Sequence, residues 1–382
     1  MMTERERILA VYNGETPDRV PFMLDLSHYY YHRFRKDWDL CYGYAEPERD
    51  LIDFNRKMGA GFYIANQAVF FRTTYDDDVR SVTTRELEDG VPVITWRYET
   101  PVGSIERKRV WMPGSYSWAI KKWGVKDEKD LEVLKYAMSR RHFTALPENY
   151  RAWADYTGDD GVVYLSPGYS AMGYLLHYWM GVEETMYGTV DFEEEMEDCI
   201  NAINEKNLEL VEMLASEYDA PVLVLGDNFS SEVQPPSFFA HWSRDFYERA
   251  CRIAHSYGKK VAVHIDGCLK SAITMIREAG ADAIDAVTPG SVGRMTPAEC
   301  RAEADLGPTA LGQNLILSGG IPNELWYSFS AMEKFEEAVK NWLSLKEKTS
   351  ALISAAGDQV PPGAEEARIL RMKELIEEYG RY

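Results

Sequence analysis

Eight apolar runs of strand length recur along the chain, mostly with helical stretches between them, and this alternation constrains the fold more than any other feature. The runs lie at 20–25, 61–65, 161–165, 221–225, 260–264, 283–287, 314–317 and 351–354. The stretches at 193–218, 237–257, 269–279 and 332–346 carry apolar residues three and four apart, the spacing of one buried helix face. Strands that alternate with helices pair in parallel, and eight of them suit a closed barrel better than an open sheet. The expected fold class is α/β: a (β/α)8 TIM barrel forming a single domain over 1–382. A helical extension precedes it at 3–12, where Thr3 and Glu6 have the spacing of a capping box and Gly14 and Pro17 end the helix.

The rhythm breaks at about 80–112. Asp89-Gly90 sits between two alternating runs, a hairpin signal, and a second turn follows at 100–104. An antiparallel β insertion is expected there, roofing a pocket or contacting a partner.

A net charge of −20, from 62 acidic against 42 basic residues, argues against nucleic acid and against anionic membranes as partners. No apolar run approaches the roughly 18 residues of a membrane span, and the charged, helical start does not read as a signal peptide. Cys41, Cys199, Cys251, Cys268 and Cys300 are scattered and show no CxxC spacing, which fits a reducing, cytoplasmic setting. The 10 Trp, 24 Tyr and 14 Phe are enough both to pack a core and to wall a pocket for a flat substrate.

The C-terminal ends of barrel strands open into the active site, so polar residues placed there read as chemistry. Val261-Ala-Val-His264-Ile-Asp266 ends the fifth run on two groups that bind metals or move protons, or that brace the junction. Asp25 ends the first run, Asp227-Asn228 follows the fourth and Asp358 the eighth. Four acids beside one histidine are costly to bury unless a cation or shared protons relieve them, although each acid alone also reads as a helix N-cap. Glu232, on the loop after the fourth strand, is within reach of the same centre. His28 and His32 share one helix face and without a third ligand read as surface or packing.

The opening RERILAVYNGETPDRVPF, the core GDN…HIDG…GADAIDAVTP and the closing GDQVPP…ELIEEYGRY together resemble the uroporphyrinogen decarboxylase superfamily over essentially the whole chain. The decarboxylase itself carries an Arg-rich MRQAGR motif that holds tetrapyrrole carboxylates; here the equivalent stretch is MLDLSHYYYHRF. The chain is more similar to the corrinoid-linked methyltransferases of that superfamily. SYSWAIKKWGVKDEKDLEVLKY and GDNFSSEV look like the branch that demethylates methoxylated aromatics. Relatives with His-x-Cys and a later Cys bind zinc that activates a thiol; at the corresponding positions this chain has His264, Asp266 and Asp358, so both sulfurs have become oxygens.

The resemblance implies an enzyme that moves a methyl group from a small methylated donor to cobalamin carried by a partner corrinoid protein. It also implies a homodimer. His264, Asp266 and Asp227 are the expected catalytic groups, with His264, Asp266, Asp358 and Glu232 as ligands if zinc binds. Asn228, Asp25, Tyr29, Tyr30 and Tyr169 are the expected substrate contacts. A decarboxylase or lyase acting on a non-porphyrin acid, or a non-catalytic ligand-binding protein, is the alternative reading.

Overall fold

In the computed structural model, which describes residues 2–382, the first helix, Glu4–Tyr12, begins at the capping box. Thr3 N–H donates to Glu6 Oε2 at 2.7 Å, and Glu6 N–H donates to Thr3 Oγ at 3.2 Å. The helix buries Ile8, Val11 and Tyr12 against Met23, Tyr164 and Val222, among other residues that point inward from the barrel strands. It therefore plugs the N-terminal end of the barrel.

Six parallel strands follow one another in sequence order around the sheet: Leu165–Gly168, Val222–Phe229, Lys260–Ile265, Ala283–Val287, Ile316–Ile321 and Leu352–Ala356. Three short parallel bridges close the ring: Phe22 with Ser354, Met23 with Gly61, and Phe62 with Gly161. The eight expected runs thus form one barrel, but the first two contribute bridged segments rather than full strands. At 20–25 one reason is covalent, since Pro21 has no N–H and serves only as an acceptor, for Ser354 N–H at 2.9 Å.

Helix Glu193–Glu217 spans the expected 193–218 almost entirely. The 237–257 stretch splits into Pro236–Trp242 and Arg244–Ser256, because Ser243 leaves helical geometry and its hydroxyl donates to Gln234 Oε1 at 2.6 Å. The 269–279 helix starts late, at Ala272, behind Ser271 in a left-handed conformation.

The antiparallel insertion has four strands, Arg80–Glu88, Val91–Thr100, Gly103–Met112 and Ser117–Lys122, one more than 80–112 accommodates. Asp89 and Gly90 take φ of 52° and 80°, the pair of positive values a two-residue hairpin turn requires. Tyr98 and Ile105 anchor this sheet on Leu134, Leu175 and Met196 from three helices, which fixes it beside the barrel mouth.

Candidate active site

Side chains two apart on a barrel strand point to the same side, so the inward series along the fifth strand is Ala262 and then His264, and along the sixth Ala283 and then Asp285. The parallel register sets Ala262 against Ala283 and His264 against Asp285. His264 Nδ1 accordingly lies 3.0 Å from Asp285 Oδ2, and Asp285 is only 2 % exposed. Ser318, inward on the seventh strand, donates to Asp285 Oδ1 at 3.5 Å. The other ring nitrogen, Nε2, faces Asp358 Oδ1 across 3.7 Å at the end of the eighth strand.

Just beyond this point the strands depart from regular geometry. The pairing register slips between Ile284 and Val287, with Ala286 at φ 63°, and again between Leu225 and Phe229, with Asn228 at φ 45°. Left-handed non-glycine residues in strands are costly and concentrate at sites that need a re-aimed side chain. Gly319 makes room for the first bulge, since a Cβ there would meet Val287 O at 2.3 Å.

Burial by itself pulls the His264 pKa down. The hydrogen bond to Asp285 and the charges of Asp285, Asp358 and Asp266 override it and raise the value to about 9. Asp358 is raised to about 6, first by burial; the His264 cation opposes this, and Asp266 and Asp25 add to it. The direction of its shift favours the protonated, cationic form of His264 at neutral pH.

These groups open into a cavity of about 730 Å³ at the barrel mouth, in the size range of small-molecule sites. Asp25, Tyr169, Asn228, His264, Asp266 and Asp358 all line it, as do Tyr63, Tyr164 and Tyr178. The insertion contributes Trp96, Arg107, Arg109 and Trp118 to the same wall, so it does roof the pocket. Asp25 is tied down on both oxygens: Oδ1 accepts from Ser27 N–H and Oγ–H, and Oδ2 from Asn66 Nδ2. Its carboxylate braces the start of helix Ser27–Phe34 while forming part of the floor.

Four expected site residues lie outside this cavity. Asp227 is fully buried behind it, with Oδ1 accepting from Ser170 N–H at 2.6 Å and Oδ2 from the Tyr247 hydroxyl. It braces the turn after the third strand. Glu232 points outward, is 47 % exposed and pairs with Arg294 at 2.6 Å. Tyr29 and Tyr30 pack against Phe54, and Tyr29 Oη accepts from Arg33. Their side of helix Ser27–Phe34 belongs to the core. His28 is engaged by the backbone carbonyls of Ser115 and Tyr116.

The expected zinc set is therefore incomplete. With Glu232 turned away, His264, Asp266 and Asp358 do not bring three ligand atoms within 4.8 Å of one another; among the described residues only Glu193, Glu197 and His241 do, on an exposed surface. As placed, the donors of His264, Asp266 and Asp358 do not converge to fit zinc. Asp285 escaped the sequence reading although its acid interrupts an apolar run, AIDAV, where a buried charge needs a partner.

Among solved structures, a methyltransferase from Methanosarcina mazei shares the fold over the full length, covering 99 % of each chain at 12 % identity with a TM-score of 0.63. The likeness to D-psicose 3-epimerase from Clostridium cellulolyticum is far looser, at 9 % identity over 61 % of this chain and 81 % of that one, with a TM-score of 0.33. No curated protein matches the sequence. No helix among the described residues is long and apolar enough to cross a membrane. The family description "Uroporphyrinogen decarboxylase (URO-D)" matches residues 169–379, which run from Tyr169 at the cavity wall through His264, Asp285 and Asp358. With more than half of its length so matched, the chain belongs to the uroporphyrinogen decarboxylase family.

Proposed function

We propose that the protein is a methyltransferase that removes the methyl group of a methoxylated aromatic compound, with His264 as the acid that protonates the departing oxygen. The observation that carries this reading is the His264–Asp285 pair, in which a buried carboxylate holds one ring nitrogen at 3.0 Å and leaves the other facing an aromatic-walled cavity. Aryl methyl ethers resist attack because a phenolate is a poor leaving group, and a positioned proton donor lowers that barrier.

The methyl acceptor would be the reduced cobalt of a partner corrinoid protein, which would supply the electron pair for the new bond. On this chain, Asp285 holds the imidazole ring through Nδ1, so Nε2–H is the proton delivered. The C–O bond breaks as that proton reaches the oxygen, and the product leaves as a neutral phenol. Asp358, 3.7 Å from Nε2, offsets the charge of the protonated ring until substrate enters, and a proton from solvent recharges His264 after the phenol has left. Tyr169, Tyr164 and Tyr178 supply the walls against which an aromatic ring stacks, and Asn228 is free to hydrogen-bond it.

Product analysis tests this against the lyase reading. Purified protein incubated with 4-methoxybenzoate and chemically reduced cobalamin should give methylated cobalamin and 4-hydroxybenzoate in equal amounts. Release of carbon dioxide with the methoxy group intact would instead establish a decarboxylase.

A further inference from the structure

The insertion strand Gly103–Met112 places Arg107 and Arg109, two apart and hence on one face, in the wall of the His264 cavity. Arg107 is 8 % exposed and lies among aromatic rings, its guanidinium carbon 4.0 Å from the centre of Trp96, 4.8 Å from Tyr178 and 5.2 Å from Trp179. Arg109 lies 4.9 Å from the Tyr178 ring. Its Nη2 donates to the His177 carbonyl at 3.4 Å.

Neither guanidinium has an acidic partner among the described residues. Nε and Nη1 of Arg107 and Nε of Arg109 are buried without a hydrogen-bond partner among the described residues. The nearby carboxylates of the same sheet are committed elsewhere: Glu106 pairs with Arg97 and Lys122, and Glu99 with Arg80 and Arg97. In a chain with 62 acidic and 42 basic residues, two adjacent unpaired arginines in a cavity wall are not a consequence of composition. Aromatic faces attract a cation but supply no hydrogen-bond acceptor of carboxylate strength. Burial, and then the like charge of Arg109, lower the Arg107 pKa to about 10. An anion between the two arginines would relieve both penalties.

The cavity is thus polarised, with cationic arginines under the insertion and His264, Asp266 and Asp358 at the strand ends. We propose that Arg107 and Arg109 form a carboxylate-binding subsite, so that the substrate is an aromatic acid held by its carboxylate under the insertion with its ring between the aromatic walls. The assignment of the methoxy group to the His264 end rests on the methyl-transfer reading; the carboxylate subsite does not.

Calorimetric titration with 4-methoxybenzoate and its neutral isostere 4-methoxybenzamide, at fixed ionic strength, tests the subsite without turnover. The wild-type protein should bind the acid at least about tenfold more tightly than the amide, as charge-assisted bonds to a buried guanidinium require. Arg109→Gln should lose that preference and keep its affinity for the amide, while Arg109→Lys should keep part of it. Arg107→Gln should behave like Arg109→Gln; because its ring stack is buried, thermal melting checks that it folds, and half-buried Arg109 carries the test if it does not. Equal affinity for acid and amide, a preference that survives in Arg109→Gln, or binding of neither probe would overturn the proposal. A carboxylate preference in a protein that never transfers methyl groups would sink the preceding reading and leave this one standing.

Discussion

At the scale of single residues, the proposed role of His264 as an acid depends on Asp285. Through its hydrogen bond and its charge, Asp285 is the foremost of the groups that raise the His264 pKa against burial. Asp285→Asn should therefore bring the His264 pKa from about 9 to the ordinary histidine value or below, which a histidine-resolved NMR titration reads directly. Demethylation at pH 7 should fall on the order of 100-fold with it. A His264 pKa still near 9 in that variant would contradict the assignment. The same shift has a sign for stability. A histidine pKa raised in the folded state means that folding takes up protons, so its contribution is full below the unfolded value of about 6.5 and is lost as pH rises through about 9. Asp358, raised to about 6, acts in the same direction at lower pH. The melting temperature of the wild-type protein should thus fall more steeply between pH 7 and 9.5 than that of Asp285→Asn. His264, Asp266 and Asp358 were legible in the sequence because a polar side chain at the end of an apolar run has few purely structural uses. Asp227, Glu232, Tyr29 and Tyr30 were not, because a hydroxyl, a single arginine or a neighbouring ring elsewhere in the chain decided which way each would turn.

At the scale of elements, two strand bulges and one glycine shape the mouth of the barrel. The slip at Ile284–Val287 seats against Gly319, whose φ of 144° and close approach to Val287 leave no room for a side chain. Gly319→Ala puts a methyl group against backbone atoms on both counts and should cost about 2–4 kcal/mol in urea unfolding. Activity should fall further than stability explains, because the bulge that moves carries Asp285. A substitution tolerated within about 0.5 kcal/mol would show that the bulge is not held by this contact. Element order was readable from periodicity alone, since six of the eight runs became full strands. The bulges were not, because they depend on contacts such as Gly319 against Val287 that no single run of residues displays. The docked face of the insertion was equally hidden: a strand's alternation shows that Arg107 and Arg109 share a side, but only packing on the barrel shows that this side meets the cavity.

At the scale of the whole molecule, the barrel and its insertion divide the work. Strand ends supply a histidine held by a buried carboxylate, while the inserted sheet adds Trp96, Trp118 and two arginines without acidic partners to a wall shared with barrel tyrosines. The family's fold carries this arrangement without the Arg-rich N-terminal stretch of the decarboxylase. If His264 protonates the leaving oxygen, the rate of methyl transfer to reduced cobalamin should barely depend on how good a leaving group the phenol is. The most direct measurement is that rate for a series of ring-substituted methoxybenzoates spanning phenol acidity, in the wild-type protein and in His264→Gln. The account predicts a shallow dependence in the wild-type protein and a steep one in the variant, with the most acidic phenols losing least. Equal slopes in the two proteins would contradict it.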